Sequence, residues 1–164
     1  MTIDTGSLIG RRVVRYGTLA DLRADLGVIE SAARAGTLRA IGNWSPGKIL
    51  THVAAFIDYG YDGYPPEISN PPWFVKVFLR LMKRSMLKNG FRAGVKIPKV
   101  DGGTVGGRDC PVEEGLATLR RSLDRLEAGP PRYPSPAFGA LSYEDGKAMT
   151  LRHAELHLSF LSVM

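Results

Sequence analysis

An all-α fold, a four-helix bundle with an extra basic helix and loop inserted between helices 2 and 3, is predicted by three features of the sequence. Four segments carry apolar residues at helical spacing, most have a recognisable start and stop, and no period-2 pattern recurs often enough to build a sheet. The 164 residues suit one domain spanning 1–164, and 44% apolar with 23% charged residues is the balance of a globular chain rather than a disordered one.

The first helix starts at Thr18, where Thr18-Leu19-Ala20-Asp21 reads as a capping box; Leu19, Leu22, Leu26 and Ile29 line one face until Gly36 stops it. The second starts at Ser45-Pro46, an N-cap followed by proline where the missing N–H costs nothing, and places Ile49, His52, Val53 and Phe56 on one face before running out near Gly60 to Gly63. The third bundle helix opens near Pro111 with Glu113 and Glu114 at the positive end of the dipole. Its stripe is Leu116, Leu119, Leu123 and Leu126, and Gly129-Pro130-Pro131 closes it. The last begins at Ser142, with Ser142-Tyr143-Glu144-Asp145 as a second capping box, and is predicted to run through Met149, Leu151, Leu156, Phe160 and Leu161 to the C-terminus.

Between the second and third lies the insert, approximately 65–110. Trp73 to Lys88 forms an amphipathic helix with Val77, Phe78, Leu81 and Met82 on one side and Arg80, Lys83, Arg84 and Lys88 on the other; the glycine-rich stretch from Gly90 to Gly107 reads as a loop with a short extended piece at Gly94 to Val100. The net charge of +6 is concentrated here. Ile68 to Val100 holds eight basic residues, Lys76, Arg80, Lys83, Arg84, Lys88, Arg92, Lys96 and Lys99, and no acidic one, so the remainder of the chain carries −2. Three readings of this segment stand: a solvated face, a helix packed on the bundle whose cations attract a small anionic substrate, or an interfacial helix on a membrane or nucleic acid. No recognised nucleic-acid reading module accompanies it.

The three histidines are His52, His153 and His157. The last two are one turn apart on one face of the final helix, and all three sit among apolar positions that point toward the bundle core, well inside their helices. Two imidazoles from one helix and one from another can take three corners of a tetrahedron around a divalent metal, leaving the fourth for water or substrate. The same spacing also suits hydrogen-bonded core histidines. A metalloprotease of the H-E-x-x-H type is excluded, because Glu155 lies two residues after His153, about 200° around the helix.

At these residues the chain resembles the DinB-like superfamily of metal-dependent enzymes. The resemblance covers nearly the whole chain and is carried by Asn43 to His52 (NWSPGKILTH), by Phe138-Gly139-Ala140-Leu141-Ser142, and by Arg152 to Leu158 (RHAELHL). It implies a four-helix bundle with a histidine of the second helix and a final H-x-x-x-H pair as metal ligands, hence His52, His153 and His157. It further implies zinc or nickel, and a thiol-dependent transferase or isomerase using a low-molecular-weight thiol such as glutathione, mycothiol or bacillithiol; other members have no assigned reaction. The basic segment departs from shorter members, so the substrate does not carry over with the ligands.

Around the histidines, Tyr59 reads either as a polar side chain of the same pocket or as an interior tyrosine, Asp58 and Asp62 as carboxylates able to orient an imidazole, and Lys48 as a cation one turn before His52. Cys110, beside Pro111 at a helix start where a thiolate is favoured, cannot form an intramolecular disulfide and is left outside the site. The leading expectation is therefore a metal-dependent enzyme, possible reactions being transfer or hydrolysis. The alternative is a non-catalytic binding protein whose segment 68–100 engages an anionic partner or membrane surface. A small-molecule substrate is the expected partner, a homodimer stands open, and nucleic acid is not expected. With no apolar stretch behind a basic start and no membrane-length run, the expected compartment is the cytoplasm.

Overall fold

The computed structural model describes residues 3–97, 100 and 103–163. Lys99, one of the eight basic residues, and part of the extended piece ending at Val100 lie outside the described residues. The described chain is mostly helical: α1 (Leu19–Arg34), β1 (Arg39–Ala40), α2 (Pro46–Asp62), α3 (Pro66–Ser69), α4 (Trp73–Asn89), α5 (Val112–Ala128), α6 (Tyr143–Leu158) and β2 (Leu161–Ser162).

The helix starts are set by local chemistry. Thr18 and Asp21 close a reciprocal capping box on α1, and Ser45 accepts from Lys48 N at 3.2 Å with Pro46 in the first turn of α2. Ser142 caps α6 by accepting from Asp145 N at 3.1 Å, but the Asp145 carboxylate accepts from Lys83 Nζ at 3.0 Å and so ties α4 to α6. Gly63, at φ 103°, ends α2 where the glycines forecast an end.

The α5 stripe is buried as forecast, whereas the core faces of α2 and α6 also take in Leu50, Ile57, Ala154 and Leu158, and the forecast Leu19, Phe56 and Leu156 are only half-buried. Leu22, Leu26 and Ile29 of α1, Leu50, Val53 and Ile57 of α2, Leu116, Leu119, Leu123 and Leu126 of α5, and Leu151, Ala154 and Leu158 of α6 are buried together. Helix α2 packs on α5 and α6, and α1 packs on α5 and α6. The α2–α5 approach is close because two glycines permit it. A Cβ at Gly115 would lie 3.0 Å from Leu50 Cβ, and one at Gly47 only 1.9 Å from the Cys110 carbonyl oxygen.

Three expectations need correction. Helix α6 does not continue to the C-terminus: it is capped at Ser159, and Leu161–Ser162 pairs antiparallel with Arg39–Ala40 in register Ala40 with Leu161. Strands of two residues are too short to leave a period-2 pattern. His157 consequently lies in the last turn of α6, not deep inside a longer helix. The third correction concerns α4. It packs on α6, yet its packed side carries the half-buried Val75, Leu79, Lys83, Met86 and Leu87, while Val77, Phe78, Leu81 and Met82 face outward. Between α4 and α5 the described residues contain no strand. Among them, no helix is long and apolar enough to cross a membrane.

Candidate metal centre

Helix α2 and the last two turns of α6 bring the three histidines together. Their ring centroids lie 5.0 Å (His52–His153), 4.4 Å (His52–His157) and 4.5 Å (His153–His157) apart, and a ligand nitrogen from each falls within 4.8 Å of the other two. A tetrahedral ion with metal–nitrogen bonds of about 2.1 Å needs nitrogens about 3.4 Å apart, so ring rotation about the soft χ2 torsion has little left to close.

Aromatic rings wall the group. Trp44 stacks on His157 at 5.6 Å and 6° and meets His52 edge-on at 5.0 Å. Phe56 stacks on His153 at 3.9 Å, and Phe91, just beyond α4, meets the same ring edge-on at 5.8 Å. His52 and His153 are buried and His157 is half-buried.

The loop before α5 orients His52. Its Nδ1 lies 3.3 Å from the Gly106 carbonyl oxygen. A carbonyl only accepts, so Nδ1 carries the hydrogen and Nε2 is left as the lone-pair nitrogen. That approach requires glycine. At Gly106 (φ 77°) a Cβ would meet Tyr59 Oη at 2.6 Å and Ala55 Cβ at 2.8 Å; at Gly107 (φ 84°) it would meet His52 Cβ at 2.9 Å and Lys48 O at 3.0 Å. Thr51, adjacent to His52, clamps the loop by accepting from Arg108 N at 3.0 Å, and Ser45 Oγ donates to Asp109 at 2.5 Å.

The electrostatics favour neutral imidazoles. Burial lowers the His52 pKa, with Lys48 adding to it, against opposing carbonyl contacts from Gly106 and Val105. Burial pushes His153 well below the ordinary histidine value, with His157 and His52 adding; burial, His52 and Arg11 do the same for His157. Lying in the last turn of α6, His157 would gain from the helix dipole if protonated, but its surroundings oppose the charge. His153 Nδ1 is a buried nitrogen without a hydrogen-bond partner among the described residues, a costly condition in the absence of a compensating group. Three neutral imidazoles, one with an orphaned nitrogen, fit a divalent cation, which they could hold.

Other candidates separate from the group. Tyr59 packs against Gly106 and thereby supports the loop. Asp58 and Asp62 orient no imidazole: Asp58 accepts from Ser122 Oγ at 2.8 Å, and both pair with Arg125 on α5. Lys48 Nζ sits 5.6 Å from the centre of the Trp44 ring, at the edge of the aromatic wall. Burial, followed by Glu114, raises the Cys110 thiol pKa, so the helix start does not make it a ready thiolate. Glu155 is engaged elsewhere, accepting from Tyr16 N at 2.7 Å and pairing with Arg152 at 2.7 Å and Arg15 at 3.2 Å, as its place on the helix requires.

Sequence reasoning missed Gly106, Gly107, Thr51 and Phe91 as parts of the site. The adjacent glycines of Val105-Gly106-Gly107-Arg108 were the available signal, since such a pair marks close backbone approach. Neither a curated protein nor a solved structure matches the chain. A family described as Protein of unknown function (DUF1569) matches residues 12–164. With all three histidines inside a match of nearly the whole length, the chain belongs to the DUF1569 family.

Proposed function

We propose that this protein is a metal-dependent enzyme in which His52, His153 and His157 hold one divalent ion at the heart of a single DinB-like four-helix bundle made by α1, α2, α5 and α6. The observation that carries this reading is the convergence of three neutral imidazoles on one point, a ligand nitrogen of each within 4.8 Å of the others. The donor set suits zinc or nickel. When bound, such an ion supplies Lewis acidity, which lowers the pKa of a thiol or water at the remaining position or polarises a carbonyl.

The chain's own residues do the rest. Gly106 accepts from His52 Nδ1 and so keeps Nε2 directed as a ligand nitrogen. Trp44, Phe56 and Phe91 pack against the imidazoles and hold the ring orientations. Lys48, beside Trp44, favours an anionic small-molecule substrate. Together with the DinB-like resemblance, this supports a thiol-dependent transferase that binds a low-molecular-weight thiol.

Metal analysis of purified protein tests the reading. The native chain is expected to carry about one zinc or nickel ion, and His52→Ala, His153→Ala and His157→Ala each to weaken binding by more than the roughly hundredfold that loss of a supporting contact costs. Retention of stoichiometric metal by all three variants, with native circular dichroism, would sink it. A screen of low-molecular-weight thiols on the loaded protein tests the cofactor.

A further inference from the structure

We propose that α4 docks the protein on an anionic membrane surface, with Trp73, Phe74, Val77, Phe78 and Leu81 entering the headgroup region and Arg84 and Lys88 meeting lipid phosphates. None of the 17 residues of α4 is buried. Its outward side carries large apolar groups at exposures rare for a monomer's surface: Trp73 75%, Phe78 60% and Leu81 78%. Trp73, Val77, Leu81, Arg84 and Lys88 follow one another at spacings of three or four along this side, with Phe74 and Phe78 alongside. The result is an apolar N-terminal half continued by a cationic C-terminal half.

Charge and shape select the occupant. From Ile68 to Val100 the sequence has no acidic residue to answer its cations, so a second copy docked symmetrically through this face would set Arg84 and Lys88 against their own images. Nucleic acid would satisfy the cations and leave five large apolar side chains in water. An anionic bilayer answers both halves: its interface accepts tryptophan and phenylalanine, and its phosphates accept arginine and lysine. A single helix lying on α6 is convex, suited to a deformable surface. This docking is independent of the metal reading.

Co-sedimentation of the full chain with vesicles tests it. Binding is expected to phosphatidylcholine mixed with phosphatidylglycerol, to be lost on phosphatidylcholine alone, and to fall with salt. Trp73 emission should shift to shorter wavelength, a shift missing from Trp73→Phe. Phe78→Ser with Leu81→Ser should weaken partitioning by about a hundredfold, and Arg84→Gln with Lys88→Gln by about thirtyfold. All four side chains leave the core untouched, so native circular dichroism is expected throughout. Failure to bind the mixed vesicles, or equal binding to both lipids, overturns the proposal. So does a solution dimer that Phe78→Ser with Leu81→Ser dissociates, which would assign the face to a second copy.

Discussion

Helices α2 and α4 are both 17 residues long and both amphipathic, yet they spend their apolar side chains in opposite ways. Along α2, nine residues are buried, backbones meet through glycine, and His52 is fixed by a carbonyl of the neighbouring loop. Along α4 nothing is buried and the largest apolar groups face outward. Amphipathicity therefore specifies that a helix needs an apolar phase on one side, and neighbouring shape determines which phase it meets.

The largest expected effect is at the α2–α5 contact. Gly47→Ala puts a Cβ against the backbone carbonyl of Cys110, which no rotamer can relieve, and should destabilise folding by about 3 kcal/mol or more in urea titration. A loss below about 1 kcal/mol would show the junction to be softer than its geometry. Next in size, Gly107→Ala should weaken metal binding about ten- to a hundredfold in competition with a chelator, because its Cβ collides with His52 and displaces the Gly106 carbonyl. Unchanged affinity would mean that the loop does not orient the imidazole.

Acidity should separate the two regions further. His52, His153 and His157 all have folded pKa values below the ordinary 6.5. Below that pH the unfolded chain takes up protons that the folded one refuses, so the stability contributed by neutral histidines is present above about pH 6.5 and is lost as the pH falls through it. Urea midpoints of metal-free protein should drop between about pH 7.5 and about pH 5.5, and the triple alanine variant should lose much of that slope. A midpoint that rises on acidification contradicts the assignment. The smallest effect belongs to α4: Phe78→Ser should change folding stability by no more than about 0.5 kcal/mol, since the side chain is already exposed. A loss like that at Gly47 would reveal a partner face inside the fold.

Particular residues show why some features could be read early and others could not. The capping residues Thr18, Ser45 and Ser142 act on atoms three residues away, so their effect is local and legible. The leucine stripe of α5 repeats with the helix and is buried as read. The end of α6 depends on Leu161 finding Ala40, more than a hundred residues earlier, and local pattern favoured the longer helix. Glu155 has one local partner, Arg152 a turn before it, but it is closed in by Tyr16 and Arg15, about 140 residues earlier, which nothing near it announces.

From the sequence by itself came the five longer helices and their starts, though not the four-residue α3, the concentration of positive charge in one segment, and the selection of His52, His153 and His157, since helical period and capping depend on neighbours within one turn. The tertiary structure alone decided that the three rings meet, which nitrogen of His52 the Gly106 carbonyl engages, and which side of α4 is turned outward. Those depend on backbones from distant parts of the chain packing together, which for the loop against His52 requires glycine at 106 and 107.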